Sequence, residues 1–194
     1  MLRLRPVNSG WIVWLTGLSG AGKTTLASEV TAIMSTSGAG PAELIDGDVL
    51  RKELGGRLGF DRASRDINVA VAGFVARTLA ERDRPVIVSL ISPYDEARRE
   101  QRERAEAAGI KFFIVHVFAP MNILVARDTK GLYSRAGRGQ VTKLTGVDDV
   151  YEAPEQPDLV VDTSVDEPGG SAMDLVRMLI GRGILIEDSH DFTI

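Results

Sequence analysis

The chain has 194 residues, 44% hydrophobic and 26% charged, with a formal net charge of −4. This is the composition of a soluble globular fold with a core of ordinary size, read as one domain over residues 1–194. The acidic balance argues against general nucleic-acid binding, and the absence of cysteine excludes disulfides, thiolate metal sites and cysteine nucleophiles. No stretch approaches the about 18 apolar residues of a membrane span, and MLRLRPVNSG at the start lacks the apolar run of a signal peptide. The expectation is a cytoplasmic protein that partners neither membrane nor nucleic acid.

In chain order, WIVWLT (11–16) is β-branched and aromatic and predicts a buried strand, and 23–36 has helical spacing. AELID (42–46) reads as a second short strand. Residues 63–83 place apolar side chains at helical intervals, interrupted only by Gly73. PVIVSLI (85–91) is the near-continuous apolar run of a strand covered on both faces. Residues 94–109 predict a charged helix closed by Gly109, 111–119 a further buried strand, and 121–128 a short helix. Glycines, charges and prolines over 129–157 suggest a mobile loop or lid. The last strand falls at 158–164 and the last helix at 171–182. Strands alternating with helices imply an α/β fold of three layers, a parallel sheet flanked by helices, with a lid.

Gly17-Leu18-Ser19-Gly20-Ala21-Gly22-Lys23-Thr24 matches G-x-x-x-x-G-K-[ST], the phosphate-binding loop, in its proper place between strand and helix. Glycines let successive N–H groups turn toward phosphate oxygens, and the following helix directs its positive end at the same anion. Gly17, Ser19, Gly20, Ala21, Gly22, Lys23, Thr24 and Thr25 are the expected contacts to a nucleoside triphosphate. Lys23 would reach the terminal phosphates, and the Thr24 hydroxyl would hold Mg²⁺. An incidental lysine on a glycine-rich turn is the plainer alternative, and it leaves the full motif and its setting unexplained.

LIDGDVLR (44–51) follows the second strand. The carboxyl ends of parallel strands line the ligand crevice, so Asp46 and Asp48 would lie beside Lys23 and Thr24. One would hold metal-bound water, with Asp48 a metal ligand alongside Thr24. One would accept the proton of an attacking hydroxyl, and which of the two does so stays open. Asp48 also suits a helix N-cap. Arg51 could hold an anionic substrate.

Further stretches are LGF (58–60), Arg65 with Asn68, ISPY (91–94), RDTKGLY (127–133), TGVDDVYEAPE (145–155) and VVDTS (160–164). Together with the phosphate loop and DGD, their order and spacing resemble the adenylylsulfate kinase family from about residue 10 to 185. The resemblance implies a P-loop NTPase fold, ATP and Mg²⁺. It implies transfer of the γ-phosphoryl group to the 3′-hydroxyl of adenosine 5′-phosphosulfate, the nucleotide substrate. By matching position, Arg51, Arg65 and Asn68 would hold the phosphosulfate and ribose, Phe60 would stack on adenine, and Ile91 and Ser92 would touch the acceptor. Ser92 also matches a serine assigned as a phosphoenzyme site, a role that direct in-line transfer does not need. Lys130 would enter from the lid and Arg127 would lie near ATP. Family members are often homodimers.

The chain departs from the family pattern at Val49, Ala70, Val71 and Asp95, and at Leu144, where a phenylalanine is usual on the second face of the adenine. The runner-up reading is therefore a diverged relative that phosphorylates another nucleotide-linked acid or small alcohol. A non-catalytic ATP-binding module is a third reading, although a switch of the GTPase kind would need a guanine-reading N-K-x-D motif and none occurs. Elsewhere, plain roles are expected. His116 reads as a core histidine, His190 as solvated, RREQRERAE (98–106) as a solvated helix face, Trp11 and Trp14 as core and strand-edge residues, and Tyr133 and Tyr151 as packing or lid residues.

Overall fold

The computed structural model describes residues 2–7, 9–55 and 59–188, so Leu58 and His190 lie outside the described residues. In chain order the elements are β1 (Leu4–Pro6), β2 (Trp11–Thr16), α1 (Lys23–Thr36), β3 (Glu43–Asp46), α2 (Gly47–Glu53), α3 (Arg62–Ala80) and β4 (Val86–Ser89). They continue with α4 (Asp95–Ala107), β5 (Lys111–Phe118), α5 (Met121–Arg127), α6 (Leu132–Gly137), β6 (Leu159–Asp162), α7 (Pro168–Gly181) and β7 (Leu185–Glu187).

Five strands form a parallel sheet in the order β3-β4-β2-β5-β6. All six residues of β2 are buried, as a central strand covered on both faces requires. Alternate side chains feed two cores. Trp11, Val13, Leu15, Phe113 and Val115 pack with α1 and α7, whereas Ile12, Trp14, Phe112 and Ile114 pack with α3 and α4. Both tryptophans are fully buried at the sheet centre, so neither is a strand-edge residue. Crossovers put α1 and α7 on one face and α3 and α4 on the other, giving three layers.

Gly73 does not break α3. A Cβ at this position would stand 2.0 Å from Gln101 Oε1, so glycine is what lets α4 approach. That approach overturns the expectation of a solvated α4: Arg98, Gln101 and Ala105 are buried, Arg102 is half-buried against Asp158, and the remaining charges of the run face outward. α3 ends at Ala80, and α7 starts at Pro168, a residue pre-set for a first helical turn. Residues 129–157 are not simply loop. They contain α6 and bury Tyr133, Leu144 and Thr145. Besides α6, three elements escape the sequence reading. α2 is one of them, and β1 and β7, three residues each, pair antiparallel beside the main sheet. Among the described residues no helix is long and apolar enough to cross a membrane.

Candidate active site

The carboxyl ends of the five strands open onto a cavity of about 740 Å³. It gathers nearly every sequence-predicted site residue: Ser19, Gly20 and Gly22 to Thr25 from the glycine-rich loop, Asp46, Asp48 and Arg51 after β3, and Phe60, Arg65 and Asn68 before and along α3. Ile91 and Ser92 line it after β4, and Arg127, Lys130 and Leu144 from the lid side. Gly17 and Ala21 lie beneath this wall. The Ala21 side chain joins the core, and a Cβ on Gly17 would meet Val117 O at 2.0 Å.

The loop turns tightly because Gly20 and Gly22 take φ of +79° and +94°, Gly22 standing as the N-cap of α1. Lys23, nearly buried, folds back so that Nζ donates to Gly17 O at 2.8 Å and Leu18 O at 2.9 Å. Burial, followed by the charge of Lys130, pulls its pKa down to about 8, against the opposing pull of Asp48 and Asp46.

The two aspartates part company. Asp46, not Asp48, caps α2: its Oδ1 accepts from Asp48 N at 2.9 Å and Val49 N at 3.3 Å. Its Oδ2 accepts from Thr24 Oγ1 at 2.8 Å, and Ser89 Oγ stands 3.3 Å from the same hydroxyl. The exposed Asp48 pairs instead with Lys130, which arrives from the lid. Thr24 therefore shares its oxygen cluster with Asp46, and Asp48 faces the cavity mouth.

At the far end, Arg51 lies 5.1 Å and Arg65 5.9 Å from the ring centroid of Phe60, which is half exposed. Arg51 Nη1 donates to Gly59 O at 2.6 Å. Arg65 is buried and donates to Phe60 O at 2.8 Å and Lys143 O at 2.7 Å. Its Nε also lies 3.2 Å from Asp149 Oδ2, an ion pair outside hydrogen-bond alignment. Leu144 is both cavity wall and core. Ser92 is buried at φ +39°, and its Oγ accepts from Trp14 Nε1 at 3.0 Å. On the other flank Arg127 Nη1 reaches Thr163 Oγ1 at 2.9 Å and Gly20 O at 3.3 Å. Tyr133 Oη donates to Ser19 O at 2.9 Å, fastening α6 to the loop. His116 is half-buried beside Tyr151, and burial with the nearby Arg98 charge holds its imidazole below the usual range.

Sequence reasoning passes over four wall or wall-supporting residues. Asn68 Oδ1, Thr145 Oγ1 and Ser171 Oγ are buried in the wall without a partner among the described residues, which makes them groups for a ligand to satisfy. Of these, Thr145 and Ser171 are additions. Thr163 holds the loop through Ala21 O at 3.0 Å. The strand-end rule that selects Asp46 also selects Thr163, and Asp149 carries no comparable signal.

The family model of adenylylsulphate kinase matches residues 9–162. Over 178 residues the chain is 46% identical to the adenylyl-sulfate kinase of Myxococcus xanthus, covering 92% of this chain and 95% of that one. It is 42% identical over 190 residues to that of Chloroflexus aurantiacus, covering 98% and 100%. A solved structure of the Mycobacterium tuberculosis APS kinase in complex with AMPPNP and APS superposes with a TM-score of 0.84 at 36% identity, covering 89% of this chain and 99% of that one. A shikimate kinase from Acinetobacter baumannii, at 14% identity and a TM-score of 0.61, shares the fold alone.

Proposed function

The chain belongs to the adenylylsulphate kinase family, and from that premise we propose that it transfers the γ-phosphoryl group of ATP to the 3′-hydroxyl of adenosine 5′-phosphosulfate. The products are ADP and 3′-phosphoadenosine 5′-phosphosulfate. One observation carries the reading. A single cavity has the phosphate loop at one end, the Arg51–Phe60–Arg65 cluster at the other, and Asp46 and Asp48 on its wall.

Donor binding uses the loop N–H groups and the positive end of α1. Lys23 exchanges its two loop carbonyls for phosphate oxygens, and Arg127 flanks the nucleotide. Thr24 Oγ1 and the Asp46 carboxylate are hard oxygen donors and would hold Mg²⁺. No cluster of three or more His, Asp or Glu side chains able to hold a metal occurs among the described residues. Bound there, the ion would supply charge neutralisation at the transferred group.

Acceptor binding uses Arg51, Arg65 and Asn68 on the phosphosulfate and ribose, with Phe60 and Leu144 on the two faces of the adenine. Asp48, exposed and paired with Lys130, receives the 3′-hydroxyl proton. Asp46 is already committed to the cap and to Thr24. Ser92 supports the turn after β4 through Trp14, and phosphoryl transfer proceeds in line without a covalent stop. The enzyme works as one kinase domain with residues 129–157 as its lid, cytoplasmic and homodimeric, and the exposed Ile67 and Phe74 of α3 supply an apolar face for pairing.

The test is ADP release from MgATP with adenosine 5′-phosphosulfate, set against a panel of other nucleotide acceptors. Release that depends on adenosine 5′-phosphosulfate supports the reading. Faster turnover of a different acceptor favours the diverged alternative, which the leucine at position 144 motivates.

A further inference from the structure

Arg98 lies in the charged run of α4, yet its side chain is fully buried. Nη1 donates to Ser92 O at 2.6 Å, and Nη2 donates to Glu152 O at 2.6 Å and Asp95 Oδ1 at 2.9 Å. The guanidinium carbon lies 5.9 Å from the Tyr151 ring centroid. Apart from Asp95 on α4 itself, these contacts fall on two segments distant in sequence: the turn after β4, which lines the cavity, and the C-terminal root of the lid.

The same two segments are stitched further. Glu152 N donates to Pro93 O at 2.8 Å, and Asp95 N donates to Glu152 Oε2 at 2.7 Å. Thr16 Oγ1 lies 2.6 Å from Ile91 O and 3.1 Å from Tyr151 Oη. Ser92 sits at φ +39°, a left-handed conformation that a non-glycine residue holds only when its surroundings impose it. Its carbonyl is fixed by Arg98 and its hydroxyl by Trp14. A buried guanidinium is costly unless its donors are matched, and here the two terminal nitrogens meet two carbonyls and a carboxylate, while Nε has no partner among the described residues.

We propose that Arg98 is a positioning residue for the acceptor. It holds the Ile91–Pro93 turn and the lid root at Tyr151–Glu152 as one unit, so that Ile91 on one wall and Leu144 and Thr145 on the other keep their register around the acceptor. The N-terminal root of the lid is fastened on the donor side. Asp128 accepts from Tyr133 N and Ser134 N, both at 2.9 Å, and Tyr133 Oη reaches Ser19 O. The two lid roots thus answer to different substrates, and loosening one should leave the other's substrate unaffected. This inference rests on the kinase reading above.

Two variants test it. Arg98→Lys keeps the charge but replaces the fork with a single ammonium group. Glu152→Ala removes an exposed side chain and with it only the Asp95 N link. KM for adenosine 5′-phosphosulfate, KM for ATP, kcat and melting temperature are measured for wild type and both variants. Arg98→Lys is expected to raise the acceptor KM about tenfold or more while the ATP KM stays within about twofold. Glu152→Ala should shift the acceptor KM the same way by about threefold. Overall loosening of the fold would move both KM values together. Equal shifts in the two KM values, or an unchanged acceptor KM in folded Arg98→Lys, overturn the inference. Should Arg98→Lys fail to fold, Glu152→Ala decides, and an unchanged acceptor KM in that variant overturns it. A wild-type protein that turns over no adenosine 5′-phosphosulfate overturns the activity reading as well, whereas the variant results bear on Arg98 alone.

Discussion

Raising the pH should silence the enzyme while strengthening its empty fold. Lys23 has a pKa of about 8 in the ligand-free protein, against 10.5 for an ordinary lysine, chiefly because it is buried. Gripping the triphosphate requires the charged form, so kcat/KM for ATP should fall through about pH 8. At pH 9 roughly one tenth of the lysine remains charged, giving about a tenfold loss from the plateau. The stability effect has the opposite sign. Between about pH 8 and 10.5 the unfolded chain holds a proton that the folded chain has lost, so the ligand-free fold gains about 1.4 kcal/mol per pH unit from this group. Bound triphosphate favours the ammonium, so the alkaline limb of kcat should lie above that of kcat/KM. The chain has no cysteine to confuse the same window. The assay is initial rates from pH 6.5 to 10 alongside thermal melts of the ligand-free protein. Lys23→Ala should abolish turnover and remove the rising limb of stability. A rate that stays flat to pH 9.5, or activity and melting temperature that fall together, would refute the reasoning.

Asp46→Asn keeps a competent helix cap but removes the charge beside Thr24. Turnover and Mg²⁺ dependence should suffer about a hundredfold with little change in melting temperature, whereas Asp46→Ala should cost about 1 kcal/mol of stability in addition. Wild-type rates for Asp46→Asn would remove Asp46 from the metal site. Leu144→Phe should tighten acceptor binding by calorimetry, since base–aromatic stacking contributes about 1–3 kcal/mol. Unchanged or weaker binding would point to a base other than adenine. Gly73→Ala drives a methyl group to 2.0 Å from Gln101 Oε1 and should destabilise the fold by about 1–3 kcal/mol in denaturant melts, with kcat preserved at low temperature. A melting curve like the wild type would show that Gln101 simply swings aside.

Much of the molecule could be read from local pattern. WIVWLT declares a two-faced buried strand, and GLSGAGKTT declares the turn that follows it, because period and turn chemistry are properties of neighbouring residues. The strand-end rule brings Asp46 to the phosphate loop for the same reason. What escaped depends on pairings distant in sequence. In the composition of α4, Arg98 looks the same as Arg99, yet one is sealed between two loops and the other is exposed. The division between Asp46 and Asp48 likewise follows from which one meets Thr24 and which meets Lys130, two partners from opposite sides of the cavity. Asp149 acquires meaning only once folding sets it beside Arg65.

The chain's two tryptophans sit on the same strand, and only Trp14 has its indole N–H bonded to the turn after β4. Indole emission responds to the polarity and hydrogen bonding around that N–H, so the protein carries its own optical reporter of that turn. With Trp11 replaced by phenylalanine, and excitation at the red edge where tyrosine does not absorb, indole emission would come from Trp14 alone, and acceptor arrival could be timed by stopped flow in unlabelled protein.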